Sequence, residues 1–205
     1  MKVTRFHWMR SRPTRLLPLL LAAASPLVAA PVTYTIDPNH THPAFEADHF
    51  NGLSVWRGVF KQTSGTITLD TAAATGTVDI EINVASVDFG HDKLNEMAVS
   101  SEAPPILEAT KYPLAHYQGV LTHFVRGAPT EVRGELSLHG VTRPVNLRID
   151  SFKCIANHPL IKREVCGADA LGTFNRADFG IKVGQPYGFN MNVALRIQVE
   201  AIRAD

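Results

Sequence analysis

The feature that most constrains this chain is its last segment. There Phe189, Met191, Val193, Leu195, Ile197, Val199 and Ala201 alternate with Asn190, Asn192, Arg196, Gln198 and Glu200. A period of two puts successive side chains on opposite faces, so the segment reads as a strand with one apolar and one wet face. At about 15 residues it is too long for a small flat sheet and suits a strand that curves around a barrel wall.

The same alternation recurs upstream. Val78, Ile80, Ile82 and Val84 oppose Asp79, Glu81 and Asn83; Val132, Leu136 and Leu138 oppose Glu131, Arg133 and Glu135; Val145, Leu147 and Ile149 oppose Asn146, Arg148 and Asp150. Turn chemistry falls between these runs at Asn51-Gly52, Thr63-Ser64-Gly65, Ala74-Thr75-Gly76, Arg126-Gly127-Ala128-Pro129, His139-Gly140 and Gly184-Gln185-Pro186. The pattern predicts an all-β class, with about eight consecutive antiparallel strands after Tyr34 forming an extended barrel. One interruption, Gly90 to Ser101, carries Leu94, Met97 and Ala98 at helical spacing, and Pro104 and Pro105 bar its continuation. A short helix with an apolar loop between strands is expected to cap one barrel mouth.

The N-terminus is of another kind. Met1 to Arg15 holds five basic residues and no acid, and Leu16 to Ala30 is an apolar run closing on small residues. This is the pattern of a cleaved signal peptide over 1–30, with cleavage after Ala30 or Ala24. A membrane anchor is the alternative, but the run is interrupted by Pro18 and Pro26 and is shorter than the roughly 20 residues a span needs. Residues 31–205 then form one domain. Without the leader, 15 Lys and Arg stand against 19 Asp and Glu, a net charge of −4. Nucleic acid and anionic bilayers call for clustered cations, so neither is an expected partner.

Cys154 and Cys166 are the only cysteines. In an exported chain, a pair enclosing a short loop reads as a disulfide rather than a redox or metal pair, and no C-x-x-C motif is present. The chemistry of the remaining residues points to binding rather than catalysis. Neither G-x-S-x-G nor H-E-x-x-H occurs, phosphate-cradling Gly-rich loops are missing, and Glu46, Asp48, Asp79 and Glu81 fall at outward, solvated phases. No enzyme activity and no cofactor are expected.

Two further questions stay open on the residues alone. An eight-strand barrel either packs its interior or leaves room for one small ligand, and alternation does not separate these outcomes. His40 and His42, with His49 close behind, form an H-x-H pattern that can chelate a metal. The phase of Phe45 and Ala47 places His49 inside and the other two on the opposite face. His49 then reads as a buried polar group or a contact to a ligand's polar end.

Tyr34-Thr35-Ile36-Asp37-Pro38 with His40, then Phe45, His49, Gly52 and Gly58-Val59-Phe60, resembles the opening of the YceI-like polyisoprenoid-binding family. The resemblance continues through Lys111-Tyr112-Pro113, Gly134 to Val145 and Arg176-Ala177-Asp178-Phe179-Gly180. The segment from Cys154 to Asp169 resembles a Cys-containing exported subgroup. The resemblance implies a lipocalin-like barrel, often periplasmic, holding a polyprenyl chain or isoprenoid quinone. Where the family commonly has a His in the cap helix and a Phe pair after it, this chain has Met97 and Ile106-Leu107, so aromatic walls are expected to be lost there.

On this reading the guest lies along Phe189, Met191, Val193 and Leu195, against Phe45, Phe60, Ile80 and Ile82, beneath Leu94, Met97, Ile106 and Leu107. His49, Asp92, Arg143 and Arg176 are the candidate head-group contacts. For the two arginines a structural role, bridging backbone carbonyls or an Asp such as Asp178 at the barrel end, is the competing assignment. The expected function is a periplasmic carrier of an isoprenoid lipid. Its alternatives are a filled-core accessory or stress protein acting through its surface and a metal-binding barrel using His40, His42 and His49. Pairing of a free strand edge into a homodimer is a further option.

Overall fold

The computed structural model describes residues 1–2, 30–100, 102 and 106–205. Most of the expected leader, and the Pro104-Pro105 helix stop, lie outside the described residues. Twelve strand segments make eight barrel strands, several of them bent in the middle. The first is β1 (Val32–Ile36) continued by β2 (Ala44–His49), the second β3 (Ser54–Phe60) continued by β4 (Thr63–Asp70), and the third β5 (Thr75–Asn83) continued by β6 (Val87–Asp88). A helix, α1 (Asp92–Val99), follows, then β7 (Leu114–Thr122) and β8 (Glu131–Leu138). The sixth strand is β9 (Val141–Pro144) with β10 (Leu147–Ile155), and β11 (Val165–Asn175) and β12 (Asn192–Arg203) complete the set. Each strand runs antiparallel to the next, and β1 closes the ring on β12, with Tyr34 opposite Arg203 and Ile36 opposite Ala201. The expected all-β, eight-stranded antiparallel barrel with one short helix is therefore the observed fold.

While one edge of β12 pairs with β11, its length lets the other edge hold two partners. It pairs with β1 over Ala201–Arg203 and with β2 over Val193–Arg196. Between them Asp37 turns the chain, its carboxylate accepting from the Asn39 amide and the His40 ring. Thr41 repairs the ladder across this break. Its hydroxyl donates to the Glu200 carbonyl and accepts from the Glu200 amide, both at 3.0 Å, and its own carbonyl accepts from Thr63. A buried side chain thus bonds the Glu200 amide and carbonyl where the chain turns away from β12 after Asp37, whose own carbonyl accepts from the His40 amide.

Two local expectations fail. Thr63-Ser64-Gly65 is not a turn but the start of β4; Gly65, at φ +139°, lies so close to the Asp79 carbonyl that a side chain would collide with it. A glycine that signals a turn in sequence here marks a close approach of two strands. The last strand also begins at Asn192 rather than at Phe189. Gln185–Tyr187 forms a tight 3-10 turn with Pro186 in it, and the Asn190 side chain accepts from the Asn192 amide, so the chain enters the sheet only there.

The helix is two residues shorter at each end than the pattern suggested. His91 caps it, its ring nitrogen accepting from the Leu94 amide. Ala98 is completely buried and Val84, at the bend before β6, is equally so. Antiparallel order sends the 50–53 hairpin tip, the 89–113 segment and the 176–191 segment to one end of the barrel. The start of β1, the end of β12 and the β10–β11 turn lie at the other. Cys154 and Cys166, directly opposite each other on β10 and β11, are joined by a disulfide.

A candidate ligand cavity

Inward phases from every wall of the barrel enclose a cavity of about 620 Å³. Volumes of this order are typical of pockets for small molecules. The interior is therefore not filled by the chain's own side chains. Val78, Ile80 and Ile82 of β5 face it across from Val193, Leu195, Ile197 and Val199 of β12. Leu94 and Met97 of α1, with Ile106 and Leu107, form its roof.

Polar groups on the wall are spent on the wall. Tyr117 donates its hydroxyl to the Val145 carbonyl at 2.9 Å, and burial pushes that phenol well above its ordinary pKa. Arg176, 8% exposed, donates to the carbonyls of Ile181 and Val183. Burial pushes its pKa down, and the Asp48 carboxylate acts in the opposite direction. Little hydrogen-bonding capacity is left along the length of the cavity for a guest to use.

Aromatic rings line one side continuously. Phe60 meets Phe45 at 5.6 Å, Phe45 meets Phe89, and Phe89 meets Trp56. His49 then links Trp56 to Phe189, which touches Phe50, which in turn faces Tyr187 at 6.4 Å. No aromatic wall comes from the cap helix or the segment after it, where Met97, Ile106 and Leu107 line the cavity as expected; the rings come instead from β2, the hairpin tip, β3, the residue after β6 and the 184–189 turn. Gly58, directly opposite Phe45, leaves the space that ring occupies.

Five cavity-lining residues are exposed: Phe50, His91, Lys93, Met97 and Tyr187. All belong to segments gathered at one end of the barrel, so the mouth is there. At the opposite end the lining residues Leu121, Pro129 and Val132 are buried, and the cavity is blind. Asp48 fastens the mouth. Its carboxylate accepts from the Asn51 and Gly52 amides of the hairpin tip and from the Asn190 amide of the neighbouring loop. Those bonds, with Asn190 foremost, hold its pKa below the usual carboxylate value. Asp48 keeps the outward, solvated phase expected of it and adds a structural role.

Of the candidate contacts, Phe45, His49, Phe60, Ile80, Ile82, Leu94, Met97, Ile106, Leu107, Phe189, Val193, Leu195 and Arg176 line the cavity. Three do not. Met191 is buried but lies before β12 begins, where its carbonyl accepts from the Arg176 amide, so the alternation does not extend to it. Arg143 is exposed on β9 and bonds the neighbouring Thr142 carbonyl. Asp92 is exposed at the first turn of α1. Trp56, Phe89, Phe50 and Tyr187 are cavity residues that the pattern did not single out; Trp56 shares the inward phase of Phe60 and was legible from it.

The histidines do not converge. His40 bonds Asp37, the Nδ1 of His42 is buried without a hydrogen-bond partner, and His49 sits among rings with its Nδ1 3.3 Å from the Ser54 hydroxyl. Among the described residues the only close group of three metal-ligand types is Cys154, Glu164 and Cys166, and its two sulfurs are bonded to each other.

Comparison with known proteins places this barrel. Residues 34–201 match the model of the YceI-like domain. The chain belongs to the YceI-like family. A UPF0312 protein of Pseudomonas putida strain W619 is 28% identical over 184 residues, spanning 89% of this chain and 92% of the relative. Among solved structures, Burkholderia cenocepacia BcnA superposes with a TM-score of 0.61 at 20% identity, covering 81% of this chain and 99% of BcnA. A polyisoprenoid binding domain from Saccharophagus degradans gives a TM-score of 0.58 at 15% identity, over 84% of this chain and 99% of that domain. At such identities these neighbours establish the fold.

The YceI-like motifs of this chain meet in space beside the mouth. The Tyr112 ring lies 4.4 Å from that of His139. His139 in turn bonds the Phe179 carbonyl through Nδ1 and Glu108 through Nε2. Three sequence stretches far apart in the chain therefore tie the cap segment, the β8–β9 turn and the 176–180 turn into one rim. Their role here is structural.

Proposed function

We propose that this YceI-like protein is a periplasmic binding and carrier protein for an apolar isoprenoid lipid, of polyprenyl or isoprenoid-quinone type, held inside the barrel. The observation that carries the reading is the blind apolar cavity with one aromatic-lined mouth. A hydrocarbon tail needs a dry channel and little polar recognition, since each buried methylene contributes roughly 0.8 kcal/mol. Of the candidate head-group contacts, His49 is the one left to meet a polar end near the mouth. Arg176 also lines the cavity, but its guanidinium is bonded to the Ile181 and Val183 carbonyls. No catalytic step is part of this reading. A relative of the same fold described as a polyisoprenoid binding domain supports the choice of guest. The leader pattern supports the compartment.

The test is mass spectrometry of organic extracts from natively purified protein, with and without added prenyl lipid. A bound prenyl lipid is expected, and its persistent absence would exclude the carrier role. Val193, 5% exposed, points into the cavity from β12. Val193→Trp is expected to fill the channel and cut lipid uptake at least about fivefold, at a stability cost of about 1–3 kcal/mol. Full uptake by a variant that still unfolds cooperatively in urea would rule out this path for the guest.

A further inference from the structure

We infer that the mouth of the barrel is a docking surface for an uncharged lipid bilayer, on which the protein loads and unloads its guest; this rests on the carrier reading. Phe50 is 48% exposed, Tyr187 72%, Met97 40% and Leu53, at the hairpin tip, 77%. The first three also line the cavity, so the apolar surface runs without interruption from the interior to the outside. Large apolar side chains exposed together around the mouth of such a cavity mark a surface that an apolar phase meets. A guest leaving a bilayer for this cavity would otherwise cross water with its tail exposed.

The chemistry of the rim selects the occupant. Tyr187 and Trp56 are amphipathic rings of the kind that settle at a membrane interface. Lys93 and His91 stand beside Asp92 and Glu96, so the rim has no excess of cations to favour anionic lipid. Val55, 49% exposed on the outward side of β3, extends the apolar tip away from the cavity. The opposite end also exposes Leu160 and Ile161, but neither lines the cavity.

Leu53 and Val55 are outside the cavity lining, which makes them the residues to change. The full chain and its Leu53→Ser/Val55→Thr variant are loaded with farnesol either from cyclodextrin or from phosphatidylcholine vesicles. Loading from cyclodextrin is expected to be the same in both, and loading from vesicles at least about fivefold slower in the variant, with little dependence on salt. Hydrogen exchange at 50–53 and 185–188 is expected to slow when vesicles are added, and that at 156–162 to stay unchanged. Equal loading from vesicles, or protection only at 156–162, overturns the docking surface. So does a wild-type protein whose rim is protected by a second copy of itself, seen as a dimer in light scattering, and not by vesicles. Failure of the wild type to load from cyclodextrin refutes the carrier reading instead, while exchange at the rim still decides docking.

Discussion

Asp48 has a role that its chemistry alone does not announce. Three backbone amides from two loops converge on one carboxylate, and together they lower its pKa. A group with a depressed folded pKa contributes stability above its unfolded pKa, and that contribution is lost as pH falls through the folded value. The mouth is therefore expected to loosen in acid, below the ordinary carboxylate range. Amide exchange at Gly52 and Asn190 measures this directly. Asp48→Asn, with no charge to attract the amides, is expected to speed that exchange at neutral pH on the order of threefold. Unchanged exchange at Asn190 would remove Asp48 as the link between the two loops.

Among the elements, the junction of β1 and β2 is where sequence and structure part. Alternation in Val78 to Ile82 and in Val193 to Val199 marks strands whose inward faces are all apolar, and these lie as expected along the cavity, whereas Val84 falls in a 3-10 turn after β5. The junction carries no such signal, because Thr41 acts through a hydroxyl bonded to a residue 159 positions away. Thr41→Val keeps the shape and removes those bonds, leaving the Glu200 amide without its partner. A loss of about 1–3 kcal/mol in urea unfolding is expected. Met191 and Gly65 failed for a related reason: alternation does not state where a strand begins, and a glycine does not state whether it makes a turn or admits a neighbour. The aromatic run was equally hard to read. Phe89 and Tyr187 lie outside periodic segments, and only the folded chain brings them beside Trp56 and Phe50.

At the scale of the whole molecule, the disulfide and the ring closure act at the same end. Cys154 and Cys166 fix the β10–β11 ribbon beside the blind base of the cavity. Replacing both by Ala is expected to lower stability by about 2–3 kcal/mol through the freed unfolded chain. Chemical denaturation of the oxidised protein and the double variant checks this, and the cavity mouth should be unaffected. Ring closure has a consequence in time rather than in energy. The first strand of the barrel, Val32–Ile36, finds its closing partner in Ala201–Arg203 of the eighth. During synthesis the meander can grow strand by strand, but its first edge waits until the eighth strand emerges. Whatever handles the nascent chain meets an open, threadable sheet, and the closed container exists only once Ala201–Arg203 are available.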